Sequence, residues 1–171
     1  DSFLYLRNYL PADRVILSHY RAKKGEHVAL AGASADGGSL LNLTVPVPPD
    51  IYAYMARSDK ETPVIEKAEM HPTARPWISM GLLEKDASLL VLRLIVGKEI
   101  VGGVTFISEQ SGAFTREQAG LISLLREPFA IALSNSIKYQ ELLELKELLA
   151  EDNRFLHGEL RQIAGEEIIG A

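Results

Sequence analysis

The side chains that could do chemistry here are few. The chain has four histidines, His19, His27, His71 and His157, and no cysteine. His19 and His27 lie on two β-prone runs joined by a short turn and could approach each other. With Asp36 or Glu69 they would offer nitrogen and oxygen donors to a metal. No pair has the close spacing of an established ligand motif, and thiolates are missing, so each histidine is more simply a surface or half-buried polar residue. No Gly-x-Ser-x-Gly setting marks a serine nucleophile, and scattered carboxylates are what 24% charged residues produce. The glycine-rich residues 32–39 lack the spacing and the lysine of a phosphate loop. No Gly-x-x-x-x-Gly-Lys-Ser/Thr run occurs, so these residues are not expected to hydrolyse ATP. Catalysis has no positive support.

Bulk properties narrow the classes further. A chain of 171 residues with 47% hydrophobic content can form one domain with a sizeable core plus a tail of a few dozen residues. A net charge of −5 argues against a nucleic-acid surface, which needs clustered Lys and Arg. The absence of cysteine excludes disulfides and favours the cytosol. The longest apolar stretch, residues 88–96, is interrupted by Arg93 and falls far short of the roughly 20 residues that a bilayer span needs. No charged segment followed by an apolar one marks a signal peptide. Because the chain opens inside a helical pattern and stops just after a long helix, both ends read as truncated.

The elements follow from periodicity and punctuation. Phe3, Leu6 and Leu10 suggest a helix over residues 2–10, stopped by Pro11. Residues 15–20 and 28–33 read as a hairpin turning at Lys23, Lys24, Gly25 and Glu26. Pro46, Pro48 and Pro49 argue against regular structure there. Asp50 then caps a short helix with Ile51, Tyr54 and Met55 on one face. Residues 63–65 fit an edge strand, and residues 66–81 are irregular or weakly helical. Residues 88–96 and 100–108 form the central hairpin, turning at Gly97, Lys98 and Glu99. Gly102 and Gly103 mark a bulge or a close backbone approach. Thr115 and Gln118 form a capping box. Leu121, Ile122, Leu125, Phe129, Ala132 and Leu133 then suggest one helical face packed on the sheet, bent at Pro128. The expectation is an α+β domain, an antiparallel sheet flanked by helices.

Beyond it lies a long helix. Leu142, Leu149, Leu156 and Ile163 are seven apart, and Leu145 supplies one intermediate position, whereas Asp152 and Glu159 interrupt that second row. This is an imperfect heptad, suited to a helix pair that can shift. A helix this isolated gains little from propensity, so a parallel homodimer is expected, against a terminal helix folded back on its own domain.

Residues 99–135, with Ile100, Gly102, Gly103, Gly112, Ala113, Phe114, Thr115 and the run from Glu127 to Asn135, resemble the C-terminal half of a GAF domain. Residues 139–149, then Asp152, Asn153, Arg154, Phe155 and Leu156, and finally Glu167, Ile168, Ile169 and Gly170, resemble the linker that joins a GAF sensor to the AAA+ ATPase domain of sigma-54-dependent transcriptional activators. The likeness covers the second half of the chain well and the first half by the order of its elements. It implies a GAF-like sensor domain over residues 1–136, a signalling-helix or coiled-coil linker over 137–163, and the start of an AAA+ domain over 164–171. In such a bacterial parent this part would sense a signal and control ATP hydrolysis in the adjoining AAA+ domain. Sigma-54 RNA polymerase and enhancer DNA would be engaged only through parts outside these residues. The cysteine that iron-binding nitric oxide detectors of this class use as a ligand is absent.

The GAF resemblance also implies a small-molecule cavity between the sheet and the segments covering one face. Here Tyr52, Tyr54, Met55, Arg75, Trp77 and Met80 would supply aromatic surface and a cation for an unidentified ligand. Trp77 and Met80 filling the core is an equal alternative. Other readings of the same fold are the GAF sensor of a histidine kinase or cyclic-nucleotide enzyme, and a ligand-independent dimerisation module.

Overall fold

The computed structural model describes residues 2–38, 42–57 and 62–169, with side chains from Leu4 to Gly165. The expectations placed on Phe3, Ser39 and the side chains of the closing Glu167, Ile168, Ile169 and Gly170 lie outside what is described. By its internal contacts the chain divides into two units, Asp1–Leu133 and Ser134–Ala171.

The first unit is built on a six-stranded sheet in the order β3-β2-β1-β6-β5-β4, and every neighbouring pair is antiparallel. The strands are β1 Arg14–Arg21, β2 Glu26–Ser34, β3 Leu43–Pro46, β4 Val64–Ile65, β5 Ser88–Val96 and β6 Glu99–Ser108. The helices are α1 Ser2–Leu6, α2 Pro49–Arg57, α3 Arg75–Ser79, α4 Arg116–Ser123 and α5 Arg126–Ile169, the last belonging mainly to the second unit. The expected α+β class, with an antiparallel sheet and a long C-terminal helix, is what the chain adopts.

Both hairpins close where turn chemistry requires. Val96 pairs with Glu99, leaving a two-residue turn, Gly97 and Lys98, in which glycine takes φ +63°. Glycine first with positive φ matches the twist of the flanking strands. The β1–β2 connection is a single 3-10 turn, Ala22–Lys24, ended by Gly25 in the left-handed region. Strand β4 is an edge strand beside Pro63, as proline tolerance suggests.

Several expectations need correction. A strand forms at Leu43–Pro46 despite the prolines, because it is the opposite edge and its only proline stands at its end, across from Glu26. Helix α1 stops at Leu6. The Tyr9 amide bonds the Leu6 carbonyl at 2.9 Å, tightening the chain into turns before Leu10 enters the core. Asp50 is not the cap of α2 but lies in its first turn, since Pro49 takes the opening position, where a missing N–H costs nothing.

The largest correction concerns residues 115–133. The capping box forms as expected: the Gln118 amide donates to Thr115 Oγ1 at 3.2 Å and the Thr115 amide to Gln118 Oε1 at 2.9 Å. The helix then breaks at Leu124 and Leu125. Pro128 cannot donate to the Leu124 carbonyl and its ring crowds it, so the chain interrupts there. Pro128 sits harmlessly in the first turn of α5 and does not bend a continuous helix. The interruption changes the phase of the apolar face. Ala119, Ile122, Ala130 and Leu133 are buried, while Leu121, Leu125, Phe129 and Ala132 stay exposed.

The sheet separates two apolar layers by side-chain parity. Leu90, Leu92, Leu94, Val104 and Phe106 face the layer that holds α4 and the first turns of α5. Ile16, Ala29, Leu89, Val91 and Ile107 face the other, which packs against Ala68, Ala74, Trp77, Ile78 and Leu83 from the segment between β4 and β5. Beside it, Ile51 and Met55 of α2 pack with Tyr20, Val47 and Ile100.

Candidate functional site

That second layer does not fill. A cavity of about 80 Å³ lies over the middle of the sheet. Its floor comes from three adjacent strands: Ile16 and Ser18 of β1, Gly103, Thr105 and Ile107 of β6, and Leu89, Val91 and Arg93 of β5. Ser18, Gly103 and Arg93 stand in one cross-strand row. Glycine at the centre of that row leaves space where its neighbours carry side chains. Trp77, Ala74 and Thr73 wall the cavity from α3 and the turn before it, Met55 from α2, His27 from β2 and His71 from the segment between β4 and β5.

Local backbone features build this floor. The β5–β6 register shifts between Leu94 and Ile95, leaving Val101 as an extra residue just before Gly102. A Cβ on Gly102 would meet the Ser18 carbonyl oxygen at 2.1 Å and Leu133 Cδ2 at 2.7 Å. Only glycine permits this approach of β1 to β6, so the anticipated close contact is at Gly102 and the bulge at Val101.

The polar groups are distinctive. Arg93 is 6% exposed, and among the described residues it is the only charged side chain buried so far. Burial, and secondarily the Arg126 guanidinium, pull its pKa below the ordinary value, while Tyr54 acts in the opposite sense. His71 shares hydrogen bonds through both ring nitrogens, Nε2 with the Tyr54 hydroxyl at 3.2 Å and Nδ1 with Thr73 Oγ1 at 2.7 Å. Burial, and then the nearby Arg93, lower the pKa of His71. His27 is lowered to about 4, chiefly by burial and then by His19. Both shifts favour the neutral imidazole at pH 7. His19 instead donates Nδ1–H to the Val101 carbonyl at 2.8 Å.

Of the six side chains named from the sequence, the fold brings Met55 and Trp77 to the cavity wall. Tyr54 stands behind His71, to which it is hydrogen-bonded. Tyr52 stacks on Tyr20 at 5.5 Å, and Tyr20 meets His27 edge-on at 5.0 Å, so it is joined to the wall through an aromatic chain. Arg75 does not line the cavity; it pairs on the surface with Asp50 at 3.9 Å. Met80 is exposed. Sequence reasoning missed Arg93, Ser18, Gly103 and Thr105 as cavity residues. The available signal was Arg93 itself, a charge inside an otherwise apolar strand. No group of three or more metal-binding side chains occurs among the described residues.

In the second unit, Leu142, Leu145, Leu149, Leu156 and Ile163 are each between 48% and 56% exposed. Leu148, Phe155 and Leu160, outside that row, are exposed as well. The helix continues unbroken through residues 137–163 to Ile169. No helix among the described residues is long and apolar enough to cross a membrane.

No family model matches the chain. Over 85 residues it is 34% identical to a formate hydrogenlyase transcriptional activator of Salmonella typhimurium, and 33% identical to the activator FhlA of Escherichia coli. Each alignment covers 48% of this chain and 12% of the relative, so the chain corresponds to a small part of those proteins. Among solved structures, the phycocyanobilin-bound GAF domain of a cyanobacterial phytochrome superposes with a TM-score of 0.58 at 17% identity, covering 77% of this chain and 80% of that one. The globular unit has a GAF-like fold, and about half of this chain is similar in sequence to transcriptional activators of the formate hydrogenlyase kind.

Proposed function

We propose that this chain is the signal-receiving part of a sigma-54-dependent transcriptional activator, in which a small ligand held by the GAF-type domain controls an adjoining AAA+ ATPase through a dimeric helical arm. The carrying observation is a polar-floored cavity over the sheet of a GAF-like fold, in a chain about half of which is similar to transcriptional activators. Met55 and Trp77 form its apolar wall, with Tyr54 fixing His71 from behind. Sigma-54 RNA polymerase and DNA are engaged by other parts of the parent, in the cytoplasm, and this part is regulatory and not catalytic. Similarity to activators favours this reading over the sensor of a histidine kinase or cyclic-nucleotide enzyme, for which the fold alone would serve equally.

The arm pairs with a second copy. Its leucine row is exposed in the single chain, and burying each leucine is worth about 1.5–3 kcal/mol. Leu121, Leu124 and Leu125 are further apolar side chains exposed in the single chain. The polar Asp152 and Glu159 weaken one row of the seam and leave two arrangements close in energy. A ligand shifts them only through its different affinity for each.

The test combines native mass spectrometry of gently purified protein with dipolar spin-label distances between Lys146 of two paired copies. A retained small molecule, and a changed distance once it is removed, are expected. An unchanged distance in a protein shown to gain and lose its ligand overturns the coupling. The ligand-independent dimerisation module is the reading that then remains.

A further inference from the structure

We infer that the arm meets a second copy of this chain, parallel and in register, through a seam that changes phase half-way, with Leu142, Leu145 and Leu149 in its first half and Leu156, Leu160 and Ile163 in its second. The inference rests on the dimeric arm proposed above and identifies the face that pairs. Helix α5 runs unbroken from Arg126 to Ile169, so its side chains follow one another at about 100° per residue. Around that axis the six named side chains fall within an arc of about 60°. All six are between 48% and 62% exposed. A strict seven-residue repeat from Leu145 would set Glu159 in the seam, yet Glu159 stands about 40° outside the arc. Leu160 takes its place, at the same angle as Leu142 about five turns before it. Asp152 and Asn153 straddle the arc, each about 20° beyond one edge. The steps between seam residues thus change from three-then-four before this polar pair to four-then-three after it. Such a shift locally unwinds a supercoil, so the paired helices run nearly straight there.

The stripe reads the same from either end, and its apolar spacing alone fits both directions. Charge and the polar pair decide between them. In a parallel pair the positions flanking the seam set Glu141 beside the partner's Lys146, once on each side of the dimer. In an antiparallel pair both residues would face the opposite half of the partner and not each other. Parallel pairing also brings Asn153 to its own counterpart, where the two amides can exchange hydrogen bonds and fix the register. The unshifted row, which turns Glu159 of both copies into the seam, is the less stable of the two arrangements.

The chain has no cysteine, so single introduced cysteines report which positions face each other. Leu145→Cys, Lys146→Cys, Glu159→Cys and Leu160→Cys, each in the whole chain, are oxidised under one mild condition, and the covalent dimer is followed by denaturing electrophoresis. Leu145→Cys and Leu160→Cys are expected to link at least tenfold faster than Lys146→Cys and Glu159→Cys. Linking at Glu159→Cys as fast as at Leu160→Cys overturns the change of phase and leaves the dimeric arm standing. If a mixture of Leu145→Cys and Leu160→Cys links to a heterodimer faster than either variant links to itself, the pair is antiparallel and the register proposed here falls. Sedimentation gives a second measure. Leu160→Asn is expected to weaken the dimer at least tenfold and Glu159→Gln to change it less than threefold, and the reverse order sinks the shifted seam. A parent chain that sediments as a monomer at every concentration overturns the dimeric arm itself, and this inference with it.

Discussion

Gly102 and Gly103 are neighbours on β6 that open onto opposite faces of the sheet, so the same substitution has unequal consequences. At Gly102 a methyl group would run into the Ser18 carbonyl oxygen at 2.1 Å, a backbone atom held by the sheet. Gly102→Ala should lower the unfolding free energy by more than about 2 kcal/mol in urea titrations. Gly103→Ala, with its nearest neighbour at 3.4 Å, should stay within about 1 kcal/mol of the parent. His27 makes a prediction of another kind. Its pKa falls from 6.5 to about 4 on folding, so between those values the unfolded chain binds more protons and stability rises with pH. Acidification from pH 6.5 towards 4 should therefore remove up to about 3 kcal/mol through this residue. His27→Gln should flatten that part of the profile, read by thermal unfolding at a series of pH values. His71, also lowered by burial and by Arg93, adds to the same slope with the same sign.

Among the elements, α4 and α5 show what a local signal can specify. Thr115 and Gln118 announced a helix start, and both hydrogen bonds of the capping box are present. Thr115→Ala should cost about 1 kcal/mol in denaturant unfolding, the usual worth of a cap. Pro128 was equally visible, yet its effect is felt four residues upstream, where α4 ends. Its placement in the first turn of α5 leaves Leu121, Leu125 and Phe129 exposed, which a continuous helix would have buried. The seam of α5 belongs to the same scale. Leu149→Asp puts a charge in the middle of the leucine row, and sedimentation should show monomers at micromolar concentration. A variant still dimeric at that concentration would place the contact elsewhere, with Leu121, Leu124 and Leu125 the next surface to alter.

For the molecule as a whole, the division at Leu133 and Ser134 separates a sheet with its own buried core from a helix whose apolar side chains are open. A chain ended at residue 137 should unfold cooperatively and should be monomeric. Loss of its near-ultraviolet circular dichroism would show instead that the arm is needed to hold the core. The order of residues alone carries the periodicities, the turn glycines, the capping box and the spacing of the leucine row, because each depends on residues within a few positions of one another. It also showed Arg93 as a charge in an apolar strand, but not what the charge is for. Pairing β1 with β6 and β6 with β5 was decided only in three dimensions, and with it the row that sets Ser18, Gly103 and Arg93 side by side. The same pairing, with α3 and Trp77 laid across that row, left space above a buried guanidinium and sent Arg75 to the surface. Strand register and the phase of a helix after a break are fixed by long-range packing, since a shift of one residue turns every side chain to the opposite face.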